Sequence, residues 1–270
     1  MSMDSASLEP SYIGDFDRRL ARAAFFGDSE ALAAILSLGH CSAEGCERAF
    51  INATQQGHAR CVEQLIPFCD PRADDSLTLR IAVITGSPEC VEILIPHSNL
   101  EGEEPALLAA TFRCRLDCIA LLAPKSSAEV NRKAREFAAM YGFADALLLL
   151  ISPQLGFVAE LNGPQPLANA AMHGHAECVQ LLLPVSPSLM DEPSPLREAL
   201  HSGQMECFSL MLAHEPGLHD VIDFAAARAE ALRSGHLNLA QFIDAIVDAR
   251  CLSGLAFEKG AEAPIRSTRI

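Results

Sequence analysis

The sequence predicts an all-α fold, a helical-repeat solenoid of about eight helix-turn-helix units joined by short connecting loops. A turn residue recurs at intervals of 28 to 32 residues. An alanine stands four residues before every turn, and a large apolar residue stands eight residues after it. Such self-similarity is typical of architectures in which each unit covers the apolar face of the next. The eight turn residues are Gly27, Gly57, Gly86, Cys114, Gly142, Gly174, Gly203 and Gly235.

Each unit is expected to contain two short helices, with eight or nine residues available on either side of the turn. Before the turn, Leu167, Ala170 and Ala171 have the spacing of three and four residues that is typical of a helix. The turn glycine adopts a positive φ at no steric cost and so ends the first helix. A proline ten residues past the turn is expected to stop the second helix at Pro67, Pro96, Pro124 and Pro184.

The repeats divide the chain into three parts. Residues 20–246 form the repeat array. Residues 1–19 form an N-terminal segment, of which Leu8 to Arg19 is expected to cap the first unit. Residues 247–270 form a C-terminal tail that is expected to be loose from Leu252 onward. Asp244 stands where the other seven units have an apolar residue, as expected for a last unit with nothing stacked on it.

One unit shows the repeat most clearly. Residues 165–183 read QPLANAAMHGHAECVQLLL, which resembles the ankyrin repeat pattern T-P-L-H-x-A-A-x-x-G-H-x-E-V-V-x-L-L-L. The resemblance covers residues 20–246, but the period of about 30 residues is shorter than the 33 of the usual ankyrin unit. We therefore expect the projecting β-hairpins of ankyrin repeats to be shortened or replaced by plain loops. The Glu-Cys-Val variant with a following proline is similar to ankyrin arrays of host-associated bacteria and large viruses.

Charge and hydropathy bear on the class of partner and on the location. The formal net charge is −15 at pH 7, and such a field repels nucleic acid. The longest mostly apolar stretch, Phe137 to Ile151, is too short to span a membrane. The first residues have neither a basic start nor an apolar segment, so no cleaved signal is expected. We expect a monomer without nucleic-acid or membrane partners, located in the cytoplasm or delivered into a host cell without a cleaved signal peptide.

The cysteines are expected to be reduced and mostly structural. Five of the ten lie four residues past a turn, where other units have Ala31 and Ala146, which indicates a small buried slot. Cys41 and Cys46 lie in the first link, as we call the loop that joins one repeat to the next, and are expected to be more exposed. The five cysteines in the slot are Cys61, Cys90, Cys118, Cys178 and Cys207.

No catalytic residue, metal ligand or cofactor is predicted. His175 and Cys178 have the spacing of half a zinc site. The resemblance instead implies that this histidine bonds backbone near the helix start, while the cysteine faces the core. The segment from His214 to His219 lacks the H-E-x-x-H spacing of metalloproteases, and Pro216 would break the helix that such a motif requires. The alternative of a metalloenzyme or hydrolase with its active site in the links between repeats would require bound metal.

The resemblance implies a protein-binding surface. In ankyrin arrays, the two residues before each turn point towards a concave groove and are not needed for the fold. Here, six of the eight first members of these pairs are Phe, Ile, Met or His, and aromatic residues, Met and Arg are enriched in the cores of protein interfaces. The alternative is a peripheral core covered by neighbouring units. The predicted partner-binding residues are Ile84, Phe112, Arg113, Met140, Tyr141, Met172, His173 and His201.

The resemblance also implies a function. We expect a non-catalytic scaffold for protein–protein interaction, possessing no cofactor and binding a protein of basic character in the concave groove. The more specific hypothesis is a bacterial effector that binds a host protein. The alternative is an intracellular stoichiometric inhibitor, or immunity-type protein, that occludes one partner enzyme.

Overall fold

The structure is a computed structural model that describes residues 10–102, 105–152, 164–186, 189–190 and 194–261. The chain forms two compact units. The first unit comprises Met1–Ala138 and Asp145–Leu161, and the second comprises Ala139–Ala144 and Asn162–Ile270.

The chain forms eight consecutive helix-turn-helix pairs, and the described residues contain no β-strand. The first five pairs are α1 (Pro10–Phe26) with α2 (Ser29–Ser37), α3 (Ala43–Gln55) with α4 (Ala59–Leu65), α5 (Ala73–Thr85) with α6 (Pro88–Leu94), α7 (Ala106–Phe112) with α8 (Leu116–Leu122), and α9 (Ala128–Tyr141) with α10 (Ala144–Leu150). The last three pairs are α11 (Gln165–His173) with α12 (Ala176–Leu182), α13 (Pro195–Ser202) with α14 (Met205–His214), and α16 (Phe224–Arg233) with α17 (Leu237–Ala261). A short helix, α15 (Leu218–Val221), precedes the last pair. The predicted all-α repeat fold is confirmed.

The turns have one geometry throughout. All seven turn glycines have φ between 73° and 81°, and Cys114 has φ of 49°. At seven of the eight turns, the backbone N–H of the residue after the turn donates to the carbonyl of the alanine that stands four residues before the turn, for example from His175 to Ala170 at 2.9 Å. This bond closes the first helix and sends the chain back along it, which accounts for the recurrence of glycine.

The helices pack in two layers within each unit. In the first unit, α1, α3, α5 and α7 pack in sequence against one another, and α2, α4, α6 and α8 do the same. In the second unit, α13 contacts α11 and α16, while α14 contacts α12 and α17. The core lies between the layers, where all eight recurrent alanines and the five cysteines of the slot are buried. An alanine suits this place because a larger side chain would hold the helices apart.

Proline marks the start of the first helix in several repeats. With a proline at or beside their start, at Pro105, Pro166 and Pro195, the helices α7, α11 and α13 have seven to nine residues. Without one, α3, α5 and α9 have 13 or 14 residues. The expectation of eight or nine residues is therefore wrong for these three helices, and also for α1, which begins at Pro10 and has 17 residues. Proline lacks the N–H of a helix interior and disfavours helical backbone at the residue before it, so its loss allows the helix to extend into the link.

The chain ends also differ from expectation. The described part of the N-terminal cap is not a separate element, because α1 runs without a break from Pro10 to Phe26. The tail is helical as far as Ala261, and residues 262–270 lie outside the described residues. Asp244 of α17 accepts a hydrogen bond from Arg228 of α16 at 2.5 Å, so the polar residue of the last unit is paired within its own repeat.

Candidate binding surface

The end of each first helix presents two neighbouring residues to solvent. The residue four positions before the turn is buried in every unit, whereas the two residues directly before the turn are exposed, except for the half-buried Ser202. We call these sixteen positions the ladder. Its N-terminal segment, in the first unit, comprises Phe25, Phe26, Gln55, Gln56, Ile84, Thr85, Phe112 and Arg113. Its C-terminal segment, in the second unit, comprises Met140, Tyr141, Met172, His173, His201, Ser202, Arg233 and Ser234.

Large apolar side chains are concentrated on the ladder. Of the 17 large hydrophobic side chains exposed among the described residues, seven occupy these sixteen positions. The sixteen positions are a much smaller fraction of the chain than this. All eight predicted partner-binding residues are exposed. The alternative of a peripheral core would require these side chains to be buried. The seven apolar residues are Phe25, Phe26, Ile84, Phe112, Met140, Tyr141 and Met172.

In the N-terminal segment, ring contacts order the exposed side chains. The rings of Phe25 and Phe26 meet edge to face at 5.3 Å. The ring of Phe112 contacts that of Phe137, with centroids 5.8 Å apart, and the guanidinium of Arg113 lies 5.9 Å from the same Phe112 ring. A cation over an aromatic face is attracted by the ring quadrupole. Phe112 is therefore held between a second ring and a cation while 53% of its surface remains exposed.

The C-terminal segment combines thioethers, one phenol and imidazoles. The ring of Tyr141 stacks on that of Phe143 at 6.0 Å, and the ring of His173 stacks on that of His175 at 6.2 Å. His201 lies beside Glu230 of the next repeat, with Nδ1 and Oε1 3.7 Å apart. This surface offers polarizable and aromatic groups with little charge, a composition that adapts well to partner side chains.

A side chain of the following repeat fixes the backbone of the ladder. The residue directly after a turn donates a hydrogen bond to the carbonyl of the first ladder residue in the preceding repeat, over 2.9 to 3.4 Å. We call this contact the clasp. A Cβ atom on Gly142 would lie 2.5 Å from Nδ1 of His175, so glycine also leaves room for the clasp. The clasps run from His58 to Phe25, Arg115 to Ile84, His175 to Met140, Gln204 to Met172 and His236 to His201.

The clasp corrects the expectation for the histidine that follows the turn. Neither His58 nor His175 makes a side-chain capping bond to its own helix. Each imidazole instead reaches back to the preceding repeat, because the last carbonyls of that repeat's first helix have no partner within the helix. Sequence reasoning missed the contact, although the polar residue after most turns was a signal for it.

The buried thiols are not activated for nucleophilic chemistry. Burial raises the pKa of Cys178 and of Cys207 from the ordinary value of 9.0 to about 11, so both are protonated near neutral pH. Cys46 is buried, against the expectation that it would be more exposed, while Cys41 is half-buried. Within the described ranges, no group of three or more His, Cys, Asp or Glu side chains could hold a metal ion. None of the described helices combines the length and the hydropathy needed to cross a membrane.

Comparison with known families identifies the repeat. A family model described as ankyrin repeats (3 copies) matches residues 50–134 and 136–223, which is more than half of the chain. The chain belongs to the ankyrin repeat family. Ankyrin repeats generally bind protein partners, so family membership indicates a scaffold for protein–protein interaction.

A solved structure agrees with this assignment. The crystal structure of the human ASB11 ankyrin repeat domain is similar to this ankyrin chain with a TM-score of 0.55 and 20% sequence identity. The match covers 73% of this chain and 97% of that one. At this level of identity the similarity shows the fold alone. A search of curated proteins finds no match.

Proposed function

We propose that this ankyrin chain is a non-catalytic binding module and that its protein partner docks on the ladder. The observation that carries the proposal is the concentration of seven exposed apolar side chains at positions that the packing of the repeats does not require. Aromatic anchors of this kind dominate the free energy of protein interfaces, and removing one typically costs about 2 kcal/mol or more. The clasps favour tight binding because they fix the backbone beneath the anchors before the partner arrives.

We propose further that the partner is basic. The formal net charge of −15 supports this, because opposite charges steer two proteins together and accelerate capture at low salt. Asp70 and Asp74, in and after the link between α4 and α5, are exposed and add to the negative field beside the repeats.

The more specific form of the proposal is a bacterial effector delivered into a host cell, where it binds a host protein. Its support is the similarity of the Glu-Cys-Val units to ankyrin arrays of host-associated bacteria and large viruses. The alternative is an inhibitor in the producing cell that occludes one enzyme with a basic active site, which the acidic charge favours equally.

Paired affinity capture from producer and host-cell lysates tests the proposal. The native chain should retain a protein that Phe112→Asp and Met140→Glu each lose. The matched controls are Phe68→Asp and Met205→Glu, because Phe68 and Met205 are similarly exposed, at 50% and 41%, but lie outside the ladder. Retention by both controls and loss by both ladder variants supports the ladder. Equal retention by all four variants would contradict it.

The origin of the captured protein separates the two specific forms. A partner found only in host lysate favours an effector, whereas a single tight partner from the producing cell favours an inhibitor. Circular dichroism of each variant must first show native helix content, since an unfolded variant would mean that the substituted residue supports the core.

A further inference from the structure

A pocket opens in the first unit between α3, α5 and the link that joins their repeats. Its volume is about 280 Å³. The floor is formed by Phe50, which is buried, and by Ile51 and Leu77, which are half-buried. The floor is therefore apolar and wide enough for one long side chain of a partner to lie along it.

The rim of the pocket has one sign of charge. Glu47, Asp70 and Asp74 line it with exposed carboxylates, and none of the lining residues is cationic. No ion pair joins these three carboxylates to other residues in the described part of the chain. The neighbouring cation Arg48 is paired with Glu44 at 2.8 Å instead. Three unneutralised carboxylates around one apolar floor complement a cation on an aliphatic stem.

A hydroxyl also lines the pocket. It belongs to Thr78, and no hydrogen bond joins it to another described residue. The hydroxyl oxygen is not one of the buried polar atoms without a partner in the described part of the chain, so it is open to solvent. A cationic donor that lies in the pocket can therefore use it as an acceptor beside the carboxylates.

We propose that this pocket binds the side chain of an arginine or lysine of the protein partner. The aliphatic stem lies over Phe50, Ile51 and Leu77, and the cationic head donates hydrogen bonds to the rim carboxylates and to the hydroxyl of Thr78. Arginine suits the site better than lysine, because its five N–H donors match several acceptors at once. The inference deepens the proposed function and rests on it, since the side chain belongs to the partner.

The test uses two small probes, N-acetyl-arginine methylamide and its uncharged isostere N-acetyl-citrulline methylamide. Each is titrated into the full chain while the methyl NMR signals of Ile51 and Leu77 are followed. The arginine probe should shift these signals with a dissociation constant in the millimolar range, and the citrulline probe should bind at least about tenfold more weakly.

Matched variants separate the pocket from the overall charge. Glu47→Gln/Asp74→Asn removes two negative charges from the rim and should weaken arginine binding about tenfold. Glu63→Gln/Glu92→Gln removes two exposed charges elsewhere in the first unit and should change it by less than about twofold. Thr78→Val, which keeps the shape of the side chain, should weaken binding about threefold. The rim residues are exposed, so the rim variant is expected to fold.

Three outcomes would overturn the proposal: equal binding of arginine and citrulline, equal weakening by the two double variants, or shifts that avoid Ile51 and Leu77. The titration contains no partner protein, and Phe112→Asp should leave it unchanged because Phe112 does not line the pocket. A failed titration alongside ladder-dependent capture would reject the pocket alone. A successful titration without ladder-dependent capture would reject the ladder alone.

Discussion

The substitution Gly142→Ala probes how the turn and the clasp depend on each other. Gly142 has φ of 75°, and a Cβ atom there would lie 2.5 Å from Nδ1 of His175, whose Nε2–H donates to the carbonyl of Met140 at 2.9 Å. The added methyl group must displace the imidazole and break that bond. Gly235 is the matched control, because it has φ of 81° and open space around the position of a Cβ.

The two alanine variants should therefore differ in cost. Left-handed backbone costs alanine about 1–2 kcal/mol, and a less flexible unfolded chain offsets about 0.4–1 kcal/mol of this, so Gly235→Ala should lose about 1 kcal/mol of unfolding free energy. Gly142→Ala should lose about 1–2 kcal/mol more, since the clasp contributes about 1 kcal/mol and the clash adds to it.

Urea denaturation followed by circular dichroism measures both costs, with the double variant Gly142→Ala/His175→Ala included. Removing the imidazole relieves the clash, so the double variant should cost less than the sum of its single variants. Equal losses for Gly142→Ala and Gly235→Ala, or full additivity in the double variant, would refute the clasp as a contributor to stability.

The remaining predictions concern packing, thiol ionisation and capture. Ala170→Leu, at a fully buried register position, should lower the free energy of unfolding by about 1–3 kcal/mol, whereas Ala225→Leu, at an exposed position of α16, should change it by less than about 0.5 kcal/mol; urea midpoints that move equally would contradict this. Cys178 and Cys207, with pKa values raised to about 11 by burial, hold their protons in the folded state while the unfolded thiols ionise near 9.0. Stability should therefore be intact below pH 9 and fall between pH 9 and pH 11, and a Cys178→Ala/Cys207→Ala variant that loses as much stability in that interval would count against the thiols as the cause. Association with the basic partner should slow as salt rises, with little change in dissociation; a rate constant independent of salt would contradict charge steering.

The repeat fold could be predicted because packing leaves a strict record in the sequence. The recurrent alanine, the five cysteines of the slot and the apolar residue eight positions after each turn are all buried, since each repeat must fit closely on the next. Ala31, at the slot position of the first repeat, is half-buried. Ala53 and Ala199, for example, lie in different repeats and compact units and are both fully buried. Such register positions tolerate few residue types, so the pattern survives even where the overall repeat diverges.

Features that depend on several weak preferences were harder to predict from the sequence than the repeat itself. The long helices α3 and α5 follow from the loss of a start proline, which the periodic pattern does not report. The run of α17 to Ala261 lies beyond the last turn of the array, so the sequence period gives no register for it. The clasp could not be predicted, because the sequence does not indicate which carbonyl lies within reach of each side chain. Only the stacking of two repeats determines that.

The candidate site was only partly accessible from the sequence. Ladder positions followed from the turn register, and all eight predicted residues are exposed, while their role in binding stays a prediction. The ring contact from Phe137 to Phe112 and the pocket around Thr78 were missed. Both bring together residues from different repeats or from the link, where the sequence period gives no register.

The most direct test of the ladder is calorimetric titration of the purified partner into matched variants. Phe112→Asp should weaken binding at least about thirtyfold, which corresponds to about 2 kcal/mol. Phe68→Asp, at a site of similar exposure outside the ladder, should change the affinity by less than about twofold. Native circular dichroism for both variants makes the comparison valid. Equal affinities for Phe112→Asp and the native chain would contradict the central claim that the partner binds on the ladder.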